Sequence, residues 1–243
     1  MKKFILIILT LILVLGVVGC MKKPTEQENN ENELSMLNYL NEKYEDEFTI
    51  VEYIPATRGF NDSMNRNVLI AESMGGLRVE VRERVGNPGE YTDTYLNAYA
   101  SKLILNKLDY NTISNLQFAQ TYINLRSSKV SLEDLRQDNF VITNDMVINF
   151  SSIISISGSV NEEALQELYD VYNQQLSLGY SRNIFVVSFG GDKVKSEKYV
   201  KSYATYGIQD WEKYDESVEA TIVITDNGLS FEEFKNKLYL LGD

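Results

Sequence analysis

The chain has 243 residues, 44% of them apolar, with 23 Lys and Arg against 35 Asp and Glu, a net charge of −12. That apolar content supports one large or two small cores and excludes a wholly disordered chain, while the acidic balance repels phosphate backbones, so no nucleic-acid partner is expected. His is absent and Cys occurs once, which removes His general bases, Cys–His nucleophiles, His or Cys metal centres and any intrachain disulfide; no cofactor and no metal are expected.

Lys2 and Lys3 precede the apolar run from Phe4 to Val18. A charged start, a short apolar stretch and a small-residue ending are the parts of a secretory signal. At about 1.5 Å per residue, such a run as a helix covers roughly 22 Å of a hydrocarbon core about 30 Å thick, too little to span well. Val17-Val18-Gly19-Cys20 follows directly and contains the chain's one Cys. This segment resembles the lipobox of bacterial lipoproteins. The resemblance implies a signal peptide over residues 1–19, cleavage between Gly19 and Cys20, and a diacylglycerol on the Cys20 thiol. The competing reading is a plain membrane anchor with an incidental buried Cys. Two acyl chains at ~0.8 kcal/mol per buried CH₂ hold with on the order of 20 kcal/mol, which is effectively permanent. Removal of Lys2 and Lys3 leaves an even more acidic chain, so lipid rather than electrostatics is the expected tether. Residues 20–33 then read as the lipidated Cys and a disordered spacer, since MKKPTEQENNENE has few apolar groups to bury.

A first α+β block is expected over residues 34–127. Leu34, Leu37, Tyr39, Leu40 and Tyr44 recur at helical spacing, and FTIVEYI has the β-branched and aromatic content of a strand. NVLIAES and LRVEVRERV read as strands joined through Met74-Gly75-Gly76, with Gly86-Asn87-Pro88-Gly89 as the closing turn. Tyr91, Tyr95, Tyr99, Leu96 and Leu103 suggest a helical stripe toward Leu108, with a second helix between Ile113 and Arg126. The passage from YLNEKYEDEF through the paired strands to the Tyr-rich segment, residues 35–105, resembles the helix-plus-sheet modules of uncharacterised Gram-positive surface lipoproteins. That resemblance implies a location and a fold type, and it brings no catalytic residue.

The second block is expected over residues 128–243. Ser131 with Asp134 forms a helix start close to a capping box, and VITNDMVINFSSIISISG holds one or two strands. Asn161 caps EEALQELYDVYNQQLSLGY, whose Leu165, Leu168, Tyr169, Tyr172 and Leu176 share a face. NIFVVSF is a buried strand, while Gly190 to Ser217 fits either a helix or wet strands. ATIVIT, an Asp226-Asn227-Gly228 turn and a Ser230-capped helix FEEFKNKLYLL complete the chain. The fold class is therefore α+β, with mixed or antiparallel sheets, packed helices and a C-terminal part compatible with a ferredoxin-like arrangement.

Catalytic chemistry has few carriers. Carboxylate pairs are the remaining option, as in glycoside hydrolysis. Glu42, Glu45, Asp46 and Glu47 at a helix end, and Asp210, Glu212, Asp215, Glu216 and Glu219 beside Trp211, read as solvated acidic faces. Asn61 to Asn67 and Asp226-Asn227-Gly228 carry oxygens without the frame of a calcium loop. Gly190-Gly191-Asp192-Lys193 lacks the phosphate-loop frame and reads as a hairpin. Ser101 and Lys102 are adjacent and do not share a helix face. The tyrosines read as a core rim in preference to a sugar-stacking platform. No catalytic residue is singled out. The expected function is a membrane-anchored, extracytoplasmic lipoprotein of non-catalytic binding or scaffolding type, held at the cell membrane by Cys20, with a cell-envelope protein or glycan as partner. The alternatives are a carboxylate-dependent hydrolase of wall polymers and the substrate-binding lipoprotein of a transporter.

Overall fold

The structure, a computed structural model, describes residues 24–56, 66–206, 211 and 215–241. It is an α+β fold with one four-stranded and one five-stranded sheet. The chain divides into two units, Met1–Thr94 and Tyr95–Asp243. The boundary expected at residue 127 therefore moves to Thr94, because the segment after it contributes a helix and an edge strand to the second sheet.

In the first unit, helix α1 runs over Glu26–Tyr44. Thr25 Oγ1 accepts the Glu28 amide at 3.2 Å, and the Glu28 carboxylate accepts the Thr25 amide at 2.7 Å, a reciprocal capping box. The spacer expected to be disordered up to residue 33 is thus helical from Glu26. Its Glu and Gln residues are adequate helix formers, and the cap and the packing of the following turns outweigh its lack of apolar side chains. Glu45, left-handed at φ 49°, ends the helix. Strands β1 (Phe48–Ile54), β2 (Val68–Ser73), β3 (Arg78–Arg84) and β4 (Asn87–Asp93) form an antiparallel meander in that order. Leu69 faces Val81 and Ala71 faces Val79 across β2 and β3, all four fully buried. Met36, Leu40 and Tyr44 of α1, spaced by four, are the buried residues of a helix packed on β1, β2 and β4. Pro88 and Gly89 lie inside β4 instead of in a closing turn, and Tyr91 stands on that strand rather than heading a helical stripe.

The second unit opens with α2 (Tyr95–Leu105), and then β5 (Leu116–Leu125) occupies the stretch expected to be helical. Its signal is the alternation of buried Thr121, Ile123 and Leu125, a period of two. The short helix α3 (Leu132–Leu135) has the expected Ser131–Asp134 capping box. Then follow β6 (Val147–Ile156), α4 (Glu162–Ser177), β7 (Asn183–Gly190), α5 (Lys193–Tyr206), β8 (Val218–Ile224), α6 (Phe231–Lys235) and β9 (Leu238–Leu240). Asn161 caps α4, its side chain accepting the Ala164 amide at 2.8 Å. The Gly190–Ser217 region resolves as helix over α5, and LYL near the end is a strand rather than a continuation of α6.

The five strands lie in sequential order, β6 and β7 parallel and the other pairs antiparallel. A ferredoxin-like sheet inserts a strand between its parallel pair; here β6 and β7 are hydrogen-bonded neighbours, so that arrangement does not form. The larger core joins α2 and α4 to one face through Phe150, Ile154, Phe185, Val187, Leu168 and Tyr172. Helix α5 lies over β5 and β6, and Tyr199, Val200 and Trp211 pack with Ile153 and Val186 in a separate cluster. At the edge, Asn97 Oδ1 and Ser101 Oγ of α2 accept the Leu125 and Ile123 amides, each at 2.9 Å, so side chains satisfy backbone groups that an open edge would leave to water.

Candidate functional site

Three carboxylates sit deep in the described residues: Glu80, paired with Arg82, and Asp93 in the first unit, and Asp215 in the second. Asp93, at the end of β4, has a side chain 2% exposed. It accepts the Tyr39 and Tyr44 hydroxyls and the Lys43 ammonium, all at 2.7 Å. Lys43 also donates to the Tyr39 oxygen and lies over both rings, 5.1 and 4.9 Å from their centroids. Burial opposes the charge on Asp93, but the bonds from Lys43, Tyr39 and Tyr44 outweigh it and hold the carboxyl below its ordinary range. Burial and the Asp93 charge push the Tyr44 phenol up. Every group in this cluster comes from α1 or β4, so its direct effect is to fasten the helix to the sheet.

Asp215, 1% exposed, occupies the entrance to β8. Its Oδ2 accepts the Asp192 amide at 2.7 Å, and its Oδ1 accepts the Ser217 hydroxyl at 2.6 Å, the Ser217 amide at 3.1 Å and the Lys195 ammonium at 3.4 Å. Desolvation opposes ionisation, yet the Ser217 and Asp192 donors and Lys195 bring the pKa down to about 2. The Asp192 side chain caps α5, accepting the Val194 and Lys195 amides at 3.0 Å each. Gly190-Gly191 is therefore a strand-to-helix turn, correcting the expected hairpin. At Gly191, φ +89°, a Cβ would stand 3.2 Å from Asp215 Oδ2 and 3.3 Å from Ser196 Oγ, so a side chain there is both strained and crowded.

Around this turn, Ser155 donates to Gln117 Oε1 at 2.7 Å and Gln117 Nε2 donates to the Gly191 carbonyl at 3.2 Å, tying β5 and β6 to the loop. The buried hydroxyls of Ser151, Ser188 and Ser196 and the Trp211 indole N–H find no partner among the described residues. Trp211 stacks on Tyr199 with ring centroids 3.6 Å apart.

The other sequence candidates disperse. Cys20 and Gly19 lie outside the described residues, as do Asn61 to Asn65, Asp210 and Glu212. Glu42, Glu45 and Glu47 are exposed, Asp46 is half-buried, and Glu216 and Glu219 are exposed beside buried Asp215. Ser101 serves the β5 edge and donates to the Asn97 carbonyl at 2.6 Å. Asp226 pairs with Lys237 at 2.7 Å, and Asn227 bonds Asn183 and the Ser181 carbonyl. The Tyr169 and Tyr172 hydroxyls donate to the Leu229 and Asp226 carbonyls at 2.9 Å. These Tyr hydroxyls reach protein oxygens, and the rings pack with Phe231, Phe234 and Phe185. Among the described residues, no group of three or more Asp, Glu, His or Cys is placed to hold a metal, and no helix is long and apolar enough to cross a membrane.

Sequence reasoning missed Asp93 altogether and counted Asp215 with an exposed run. For Asp215 a signal existed in Asp-x-Ser directly before a strand, a pattern in which the carboxylate can accept the amide and hydroxyl two residues on. Asp93 carried none, because its partners are 49 to 54 residues away.

No family model matches the chain, and no curated protein matches it. A solved structure similar to it is the crystal structure of a DUF5037 family protein from Ruminococcus gnavus, with a TM-score of 0.50 and 15% identity, covering 84% of this chain and 98% of that one. What the two share is the fold.

Proposed function

We propose that this chain is an extracytoplasmic lipoprotein, anchored in the cell membrane through Cys20, that acts as a non-catalytic binding or scaffolding module for another cell-envelope component. The observation that carries the reading is Val17-Val18-Gly19-Cys20 closing a charged-then-apolar start, with no second Cys to compete for the role. The chemistry of Asp93 and Asp215 is consistent with it. A carboxyl held near pH 2 is no proton donor at neutral pH, and Asp215 spends both oxygens on the turn it organises. Asp93 is likewise engaged with α1. In both cases the acid holds elements together.

The test is the full chain expressed in a bacterial host beside Cys20→Ala. The native product is expected to lack residues 1–19, to carry fatty acid on residue 20 and to enter the detergent phase. The variant is expected to lose the acyl mass and to leave that phase. Native protein with residues 1–19 attached and no acyl group overturns the proposal.

A further inference from the structure

The first helix starts much closer to the anchor than composition suggests. Resting on the reading of Cys20 as the lipid anchor, we infer that the anchor is a short leash fixed to a rigid unit, keeping the attachment of the four-stranded sheet within about 46 Å of the anchored sulfur and so close to the same membrane. Only residues 21–24 separate Cys20 from Thr25, the capping residue of α1. Five Cα steps reach at most roughly 18 Å, whatever their conformation. From Thr25 onward length is added as helix, so the 19 residues of α1 extend the reach by only about 28 Å.

Two features make the helix a lever rather than a frayed end. At its start stands the Thr25–Glu28 box, reinforced one turn on by Gln27 donating to Glu31 at 2.9 Å. At its other end Tyr39, Lys43 and Tyr44 converge on Asp93, Asn41 accepts the Phe48 amide at 3.2 Å, and Ser35 bonds the Tyr91 hydroxyl at 2.9 Å. The anchor's position is thereby transmitted to the four-stranded sheet. The exposed first turns carry Glu26, Glu28 and Glu31, whose charge opposes flat contact with anionic headgroups. The unit is consequently held near the surface and off it.

The experiment uses the full chain, acylated in cells and reconstituted in vesicles of phosphatidylcholine with phosphatidylglycerol and a trace of acceptor-labelled lipid. Glu72→Cys, exposed on β2 of the first unit, carries a donor dye; the Cys20 sulfur, as a thioether, does not react. A second form has forty Gly and Ser residues inserted after Lys23, which raises the root-mean-square reach of the leash from roughly 12 to roughly 37 Å. The expected result is high energy transfer in the first form and at least a twofold loss in the second. Equal transfer in the two acylated forms, or low transfer in the first, overturns the leash while leaving the lipoprotein reading intact. Absence of the acyl mass in either sample overturns both.

Discussion

Replacing Asp215 by Asn removes one charge from a site shaped to hold it. The folded pKa near 2, against an ordinary 3.8, is a difference of roughly two units, or about 2.5 kcal/mol of stability at neutral pH. Asn can keep the Ser217 contacts through its carbonyl, but its amide then points a donor at the Asp192 N–H, so the contact already counted in that figure is lost. The expected loss is therefore about 2.5 kcal/mol, a fall in Tm of roughly 5–10 °C for a unit of this size. Trp211, the chain's one Trp, is 3% exposed, and its carbonyl accepts the Asp215 amide at 2.8 Å, so its fluorescence during urea unfolding reads the affected unit. The sign with pH follows from a folded pKa below the unfolded one. The contribution is complete above the unfolded value near 4 and is lost as pH falls through 2, so the native protein and the variant converge on acidification. A loss under 1 kcal/mol at pH 7, or a gap unchanged at pH 2, refutes this account.

Three further outcomes are expected. Asp93→Asn loosens α1 by about 2–3 kcal/mol, since two phenols and an ammonium lose their common anion, and hydrogen exchange along Glu26–Tyr44 should speed up while β6 and β7 are unaffected; uniform exchange would contradict it. Lys43→Met should cost less than Asp93→Asn, about 1–2 kcal/mol, because the Lys43 side chain is 44% exposed and the two phenols still donate to the buried Asp93; a larger loss than that of Asp93→Asn reverses the assigned roles. Ser101→Ala strands the buried Ile123 amide and should cost about 1–2 kcal/mol in denaturant unfolding, with Ser101→Thr recovering part of it; an unchanged midpoint denies the edge cap.

The sequence on its own determined what is encoded locally. The Asn161 and Ser131 caps, the continuous apolar run of NIFVVSF and the Met74-Gly75-Gly76 hairpin connection all depend on neighbours within a few residues, and they stand where they were expected. The resemblance of Val17-Val18-Gly19-Cys20 to a lipobox is local too, which is why the proposed address is readable without a fold. Tertiary structure decided whatever depended on distant partners. LQFAQTYINL became an edge strand because β6 supplies one ladder and Asn97 and Ser101 the other amide contacts. Glu26 to Glu33 became helix because a cap starts it and packing of Met36, Leu40 and Tyr44 sustains the turns that follow. Asp93 and Asp215 became buried anions because donors far along the chain, or across a turn, surround them. Burial of a charge is a property of its surroundings, and these exist only once the chain has folded.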